Sequence, residues 1–195
     1  MGKFKLTDKK IGRTEIMMSS VSLGCVTFGR EIDEETSWKI LDYSMEAGIK
    51  LYDTAEMYGG GNAKENRKKW MGIDDTREAT TEMYSSEKIL SRWMKDRGCR
   101  DEMIICTKVS AGNNDPDNIR RKVADSLERL GVDSVEVYMI HEPDENVPIA
   151  ESLEALNEQV EAGRVKAIGC SNFTAEMLKE SLEVSEKNGW ARFEI

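Results

Sequence analysis

Four side chains that can exchange protons lie near the ends of apolar, β-type runs of the sequence. They are Asp53, Tyr58, Lys108 and His141. The carboxyl ends of parallel strands face one pocket in a β/α barrel, so we expect these side chains to share a site. Each has a structural explanation when taken singly, as a capping carboxylate, a packed aromatic, a surface charge or a core imidazole. The functional hypothesis therefore depends on their joint placement.

The lysine in this set can change the acidity of the tyrosine. Lys108 stands inside the apolar run 104–109 and must either reach solvent in a pocket or find a carboxylate, for which Asp53 is available. A neighbouring ammonium stabilises a phenolate, so it would lower the pKa of Tyr58 from about 10. Bringing that pKa to about 7 takes about 4 kcal/mol of differential interaction. Such a tyrosine suits proton donation to a carbonyl oxygen.

The elements that must position these residues alternate between strand and helix. Segments between the β-type runs carry apolar residues at helical spacing, and capping residues such as Asp33 and Thr174 fall at expected helix starts. Alternation of this kind predicts an α/β fold with a parallel sheet. Strands are predicted at residues 21–26, 49–52, 103–109, 135–140 and 165–169, with a sixth at 191–195.

Two such folds are compatible with the alternation, a doubly wound sheet and a (β/α)8 TIM barrel. The Gly-x-Gly-x-x-Gly turn of a dinucleotide fold is absent after the first strand, where residues 24–29 read GCVTFG, and this favours the barrel. Eight units need on the order of 250 residues. The 195 residues therefore predict an incomplete barrel, a single domain over 1–195 with about five βα units and a sixth strand.

A polar stretch at residues 59–84 interrupts the alternation. It opens with three glycines and carries the basic run Arg67, Lys68 and Lys69. Loops at this end of a barrel lie over the pocket, so a lid or specificity loop is one interpretation. A solvated surface insertion fits the polar composition equally well, and both interpretations stay open.

Composition narrows the function classes. The net charge is −9, from 28 basic and 37 acidic residues, which disfavours a nucleic-acid partner. No run approaches the ~20 apolar residues of a membrane helix and the first residues lack a signal-peptide core, so we expect a cytoplasmic protein without a membrane partner. One histidine and four cysteines without a Cys-x-x-Cys pair predict no metal site, and Cys106 and Cys170 are interpreted as core residues.

Several stretches resemble one known family. Residues 51–59 (LYDTAEMYG) and 166–173 (KAIGCSNF) are similar to two signatures of the aldo-keto reductases. Residues 107–109 (TKV) and 140–144 (IHEPD) resemble that family's third- and fourth-strand motifs, in the expected order. The leader IGRT at 11–14 resembles a hairpin of the branch that contains bacterial reductases and potassium-channel β subunits.

The resemblance implies an oxidoreductase that transfers hydride from NADPH to a small-molecule aldehyde or ketone. In the roles that the family assigns, Tyr58 donates the proton. Lys108, paired with Asp53, lowers the pKa of the tyrosine, and His141 orients the carbonyl or helps to relay the proton.

The same resemblance implies a cofactor site. Ser171 and Asn172 match residues that hydrogen-bond the nicotinamide carboxamide. The backbone of five consecutive residues would line the nicotinamide ribose: Gly24, Cys25, Val26, Thr27 and Phe28.

The resemblance stops short of the family's full length, which predicts a truncated member. Family members continue beyond the sixth strand into residues that stack on the nicotinamide and clamp the phosphates, and no counterpart follows Ile195. Three hypotheses stay open: an active reductase, an inactive fragment that self-associates through open sheet edges, and a nicotinamide-sensing regulatory subunit. Turnover would support the active reductase, and aggregation in light scattering would support the fragment. Nucleotide binding without turnover would support the regulatory subunit.

Overall fold

The computed structural model describes residues 6–61, 67–72 and 78–195. These residues form two compact units. The first runs to Lys9 and continues over Met17–Ile104, and the second comprises Lys10–Ile16 and Ile105–Ile195. The prediction of a single domain over 1–195 stays a prediction.

A hairpin lies near the amino-terminal end of the described chain. Its strands are β1 (Asp8–Lys10) and β2 (Met17–Ser19). The turn between them is closed by hydrogen bonds from Ile11 N to Ile16 O and from Thr14 N to Ile11 O, both at 3.0 Å. The hairpin that the IGRT motif predicts is therefore present.

The first unit contains two short parallel strands, each followed by a helix. β3 and β4 pair with Gly24 opposite Asp53. Tyr52 of β4 packs on Trp93 of α2 with ring centroids 6.1 Å apart, and both side chains are fully buried at the centre of the unit. In chain order the elements are β3 (Leu23–Gly24), α1 (Glu34–Glu46), β4 (Leu51–Asp53) and α2 (Ser85–Arg97), with a 3-10 turn at Arg100–Glu102.

The second unit contains three parallel strands alternating with three helices. β6 pairs with β5 on one side and with β7 on the other. All six residues of β5 are buried, which is typical of a strand covered on both faces. The elements are β5 (Ile104–Val109), α3 (Pro116–Leu130), β6 (Val135–Ile140), α4 (Ile149–Glu161), β7 (Val165–Cys170) and α5 (Ala175–Asn188).

Helix ends follow the capping chemistry of the sequence. Asp33 caps α1 because its side chain accepts a hydrogen bond from Thr36 N, and Thr174 caps α5 in the same way through Met177 N. The caps fix where each helix begins relative to the strand before it. Three helices end at glycines with a left-handed backbone, which glycine adopts more readily than other residues: Gly98, Gly131 and Gly189.

Two strands are much shorter than their predicted bounds. The first is limited to Leu23–Gly24, because a turn starts at Cys25, whose carbonyl accepts a hydrogen bond from Phe28 N at 3.1 Å. The sixth, expected at 191–195, pairs in parallel with β7 through one bridge between Phe193 and Ile168. Hydrogen bonds from Glu194 N to Ile168 O at 2.9 Å and from Cys170 N to Ile195 O at 3.1 Å flank this bridge.

The stretch 59–84 is held in part by hydrogen bonds within the first unit. Thr80 N donates to Gly29 O at 3.1 Å. A π-helical turn spans Arg67–Met71, and Arg67 Nη1 lies 3.0 Å from Glu31 Oε1. The described part of this stretch is therefore attached to the residues that follow β3. The remainder of the predicted insertion lies outside the described residues, at 62–66 and 73–77.

One buried carboxylate bonds to both strands that neighbour β6. Glu136 of β6 is 6% exposed. Its Oε2 accepts a hydrogen bond from Ile105 N of β5 at 2.8 Å, and its Oε1 accepts one from Lys166 Nζ of β7 at 3.0 Å. The side chain therefore joins the amino-terminal parts of the three strands.

Replacing Glu136 by alanine should lower the free energy of unfolding by about 2 kcal/mol, because the buried Ile105 N–H loses its acceptor. Glu136→Gln retains an acceptor oxygen and should lose less. Lys166 is 54% exposed, so Lys166→Ala should lower the free energy of unfolding by less than about 1 kcal/mol. Urea denaturation of the three variants measures these losses, and equal losses for Glu136→Ala and Lys166→Ala would contradict the assigned importance of the Ile105 bond.

Candidate active site

The first unit places Asp53 beside the segment expected to line the ribose. Asp53 is the last residue of β4 and is half-buried. Its backbone carbonyl accepts a hydrogen bond from Cys25 N at 2.8 Å, and Gly24 lies opposite it. Gly24 is exposed, and a Cβ there would meet no atom within 4 Å. The backbone at Gly24 therefore borders open space next to Asp53, as a ligand-lining segment requires.

The rest of this segment turns directly after β3. Cys25 and Phe28 are buried, whereas Val26 and Thr27 are half-buried. The carbonyl of Thr27 accepts hydrogen bonds from Arg30 N and Ile32 N, at 3.0 and 3.2 Å. Backbone hydrogen bonds thus fix the turn that would line the ribose.

Tyr58 lies in the loop that follows β4. Its N–H donates to Ala55 O at 3.0 Å, and its carbonyl accepts a hydrogen bond from Ser86 N, at the start of α2, at 3.4 Å. The side chain is half-buried, and the preceding Thr54 is fully buried. The tyrosine is therefore attached through its backbone to a buried loop and leaves part of its side chain accessible.

Lys108 and His141 share one edge of the second unit. Lys108 is 4% exposed in β5 and pairs with Met139 of β6. His141 follows β6 directly, and its N–H donates to Val109 O at 3.2 Å. Parallel pairing therefore brings the lysine and the histidine to the carboxyl ends of adjacent strands.

Ser171 and Asn172 extend this edge to β7. Ser171 N donates to Ile140 O at 2.9 Å, which continues the pairing of β6 and β7 past the strand end. Asn172 adopts a left-handed backbone with φ of 63°, and its Nδ2 donates to His141 O at 2.8 Å and to Ser171 Oγ at 3.2 Å. These bonds hold both residues beside His141.

The serine and asparagine fit a primary carboxamide. Both amide protons of Asn172 are engaged, so the side chain offers its Oδ1 as an acceptor. Ser171 Oγ accepts one of these protons and retains its own proton to donate. One donor and one acceptor complement the N–H and carbonyl of a nicotinamide carboxamide.

The structure thus brings the predicted residues together in two groups. In the first unit, Asp53 adjoins Gly24 and Cys25. In the second unit, the other group lies at the carboxyl-terminal ends of β5, β6 and β7, called here the carboxyl edge: Lys108, His141, Ser171 and Asn172. The ion pair of Lys108 with Asp53 and the catalytic roles stay predictions.

A family model adds the decisive observation. The model described as aldo/keto reductase family matches residues 20–193. This chain belongs to the aldo/keto reductase family. The family is one of oxidoreductases, and the resemblance stated from the sequence motifs is confirmed.

Relatives and a solved structure agree with this assignment. The chain is 33% identical over 190 residues to the uncharacterized oxidoreductase YrpG of Bacillus subtilis, covering 91% of this chain and 52% of that protein. It is 28% identical over 188 residues to a probable voltage-gated potassium channel subunit beta of Oryza sativa, covering 92% and 50%. A thermostable aldo-keto reductase crystallised with the inhibitor epalrestat matches with a TM-score of 0.76 and 27% identity, over 96% of this chain and 60% of that one.

These matches settle the fold class. The solved aldo-keto reductase confirms the α/β fold of an incomplete (β/α)8 barrel. This aldo-keto reductase chain spans about half the length of the curated relatives it matches. Among the helices of the described residues, none is long and apolar enough to cross a membrane.

Sequence reasoning missed the two serines that begin α2. Ser85 and Ser86 are fully buried and bond to the turn at Cys25 and Phe28 and to the loop that carries Tyr58. Their signal is a Ser-Ser-Glu triplet before the apolar spacing of Ile89 and Leu90, a pattern typical of a helix start. That pattern predicts a helix boundary but not long-range hydrogen bonds.

The cysteines of this chain are poor nucleophiles by position. Cys25, Cys99 and Cys106 are buried, and Cys170, at the end of β7, is half-buried. Loss of solvent raises the pKa of the Cys170 thiol to about 11, because burial disfavours the thiolate. At neutral pH Cys170 is therefore a thiol.

The raised pKa of Cys170 predicts slow alkylation. Thiolate is the reacting form, so at pH about 8 iodoacetamide should modify Cys170 about 100-fold more slowly in the folded protein than in urea. The rate in the folded protein should then rise about tenfold per pH unit until the pH reaches the pKa. Mass spectrometry of the peptide containing Cys170 measures both rates. Equal rates in folded and unfolded protein would contradict the raised pKa.

Proposed function

We propose that this aldo-keto reductase uses NADPH to reduce the carbonyl group of a small aldehyde or ketone. Support comes chiefly from one observation: each parallel strand from β4 to β7 ends at a polar residue that the family motif assigns to the reaction or to its cofactor. Asp53 ends β4, Lys108 is the penultimate residue of β5, and His141 and Ser171 directly follow β6 and β7. The small-molecule carbonyl partner and a cytoplasmic location belong to the same proposal.

Tyr58 is the proposed general acid. Its phenol donates a proton to the carbonyl oxygen as negative charge develops there. The ammonium of Lys108, with Asp53 as its counter-ion, stabilises the resulting phenolate and so lowers the pKa of the tyrosine. Lys108 is 4% exposed, and charges interact more strongly where water is excluded, so its ammonium would stabilise a neighbouring phenolate more than an ammonium in water does.

His141 is proposed to orient the carbonyl. Its backbone is bonded on both sides, since its N–H donates to Val109 O and its carbonyl accepts from Asn172 Nδ2. These bonds fix the position of the His141 main chain, from which the imidazole extends. Holding the carbonyl in a fixed geometry reduces the entropic part of the barrier.

Ser171 and Asn172 are proposed to bind the nicotinamide carboxamide as donor and acceptor. The backbone from Gly24 to Phe28 would line the ribose, where Gly24 borders open space. NADPH, when bound, supplies the hydride. The chain contributes orientation of the ring, and the single bond from Asn172 Nδ2 to His141 O links the carboxamide-binding side chain to the backbone of the residue proposed to orient the carbonyl.

A second candidate is a nicotinamide-sensing subunit of a larger protein. The similarity to a potassium-channel β subunit over 92% of this chain favours it. Such a subunit would bind nucleotide without measurable turnover over a broad panel of aldehydes. Turnover therefore separates the two candidates.

Tyr58→Phe should abolish carbonyl reduction while leaving the affinity for NADPH nearly unchanged. The variant removes only the hydroxyl that donates the proton, and the residues proposed to bind the nucleotide remain. Loss of NADPH absorbance with a reactive aldehyde measures turnover, and fluorescence titration measures affinity. Equal activity of the variant and the original chain would disprove the role of Tyr58 as acid.

A further inference from the structure

Two neighbouring serines at the start of α2 connect two loops of the first unit. Ser85 and Ser86, the serine pair, are both 0% exposed. They form the first two residues of the helix, where backbone N–H groups have no partner inside the helix. The partners of the serine pair lie in the loops after β3 and β4.

Ser86 contacts both loops. Its hydroxyl donates to Cys25 O at 2.8 Å and lies 2.8 Å from Thr54 Oγ1. Because a serine has one hydroxyl proton, Thr54 is the donor in the second bond. The N–H of Ser86 donates to Tyr58 O at 3.4 Å. Ser86 thus bonds to Cys25 in the turn after β3 and to both Thr54 and Tyr58 in the loop after β4.

Ser85 repeats this arrangement one residue earlier. Its hydroxyl donates to Phe28 O at 3.1 Å and accepts a hydrogen bond from Gly60 N at 2.8 Å. The loops approach so closely that a Cβ at Gly29 or at Gly59 would lie 2.1 Å from Ser85 Oγ. Side chains at these two glycines are therefore excluded by the position of the serine hydroxyl.

We infer that the serine pair, and Ser86 above all, positions Tyr58 against the Cys25–Phe28 turn. This inference rests on the proposed function, in which Tyr58 donates the proton and the turn lines the cofactor. Ser86 is a positioning residue, since its bonds run to the backbone of both loops and to Thr54.

The burial of these groups makes the hydroxyl necessary. Thr54 and Ser86 are both 0% exposed, so water cannot readily replace the Ser86 hydroxyl if it is removed. The Thr54 hydroxyl and the Cys25 carbonyl would then lose a buried partner, which favours rearrangement of the loops. A displacement of about 1 Å at a reacting group is enough to slow an enzyme about 100-fold.

The test follows Tyr58 itself by NMR of the full chain labelled with 13C at tyrosine Cζ. Tyr58→Phe identifies its signal among the five tyrosines. Ser86→Ala should displace the Tyr58 signal and raise its pKa by about one unit, because a displaced phenol loses stabilisation of its phenolate. Thr54→Val, which preserves shape but removes the hydroxyl that Ser86 accepts from, should give a smaller displacement and serves if Ser86→Ala does not fold.

Ser37→Ala is the matched control. Ser37 is also 0% exposed in a first helical turn, but its hydroxyl donates to Asp33 O at the cap of its own helix. It should lower the thermal midpoint without moving the Tyr58 signal. A Tyr58 signal that keeps its position and pKa in both Ser86→Ala and Thr54→Val overturns the inference. An ordinary pKa of about 10 in the unaltered chain contradicts the proposed acid instead, and a displacement specific to Ser86→Ala still supports positioning.

Discussion

Parallel pairing of β5, β6 and β7 is the constraint on which the candidate site depends. The register sets Lys108 opposite Met139 and Ile140 opposite Cys170, so polar residues at the strand ends meet at one edge. A slip by one residue would turn Lys108 to the other face of its strand. The bonds of His141 N to Val109 O and of Ser171 N to Ile140 O carry the same register past the strands. Backbone hydrogen bonds alone therefore align the carboxyl-terminal ends of β5, β6 and β7.

A buried lysine such as Lys108 lowers the free energy of unfolding unless other groups interact favourably with its charge. Lys108 is 4% exposed within a fully buried strand, where an ammonium is costly to desolvate. Clusters of buried ionisable groups are typical of functional sites. The rest of the fold compensates for the stability that such a site loses. The buried bonds of Glu136 to Ile105 N and Lys166 Nζ hold the same three strands at their opposite ends. Glu136 thus joins the strands at one end, and the residues of the candidate site lie at the other.

The sequence predicted most of what local chemistry determines. The caps Asp33 and Thr174 and the strands β5, β6 and β7 follow from side-chain type and apolar spacing, which act over a few residues. The sixth strand, expected at 191–195, is shorter than predicted and pairs with β7 through the bridge of Phe193 to Ile168 and its flanking hydrogen bonds. Ser86 could not be predicted, because its partners Cys25 and Thr54 lie far away in sequence and only tertiary structure brings them to its hydroxyl.

Carbonyl reduction with NADPH is tested by a fluorescence titration of the purified chain with this nucleotide, followed in the same cuvette by addition of a reactive aldehyde. We expect saturable binding and then a decay of NADPH absorbance. Binding without decay would contradict carbonyl reduction and favour the sensing subunit. Absence of binding up to about 1 mM nucleotide, an affinity weaker than about 4 kcal/mol, would contradict the claim that the carboxyl-edge residues of this chain hold a nicotinamide cofactor.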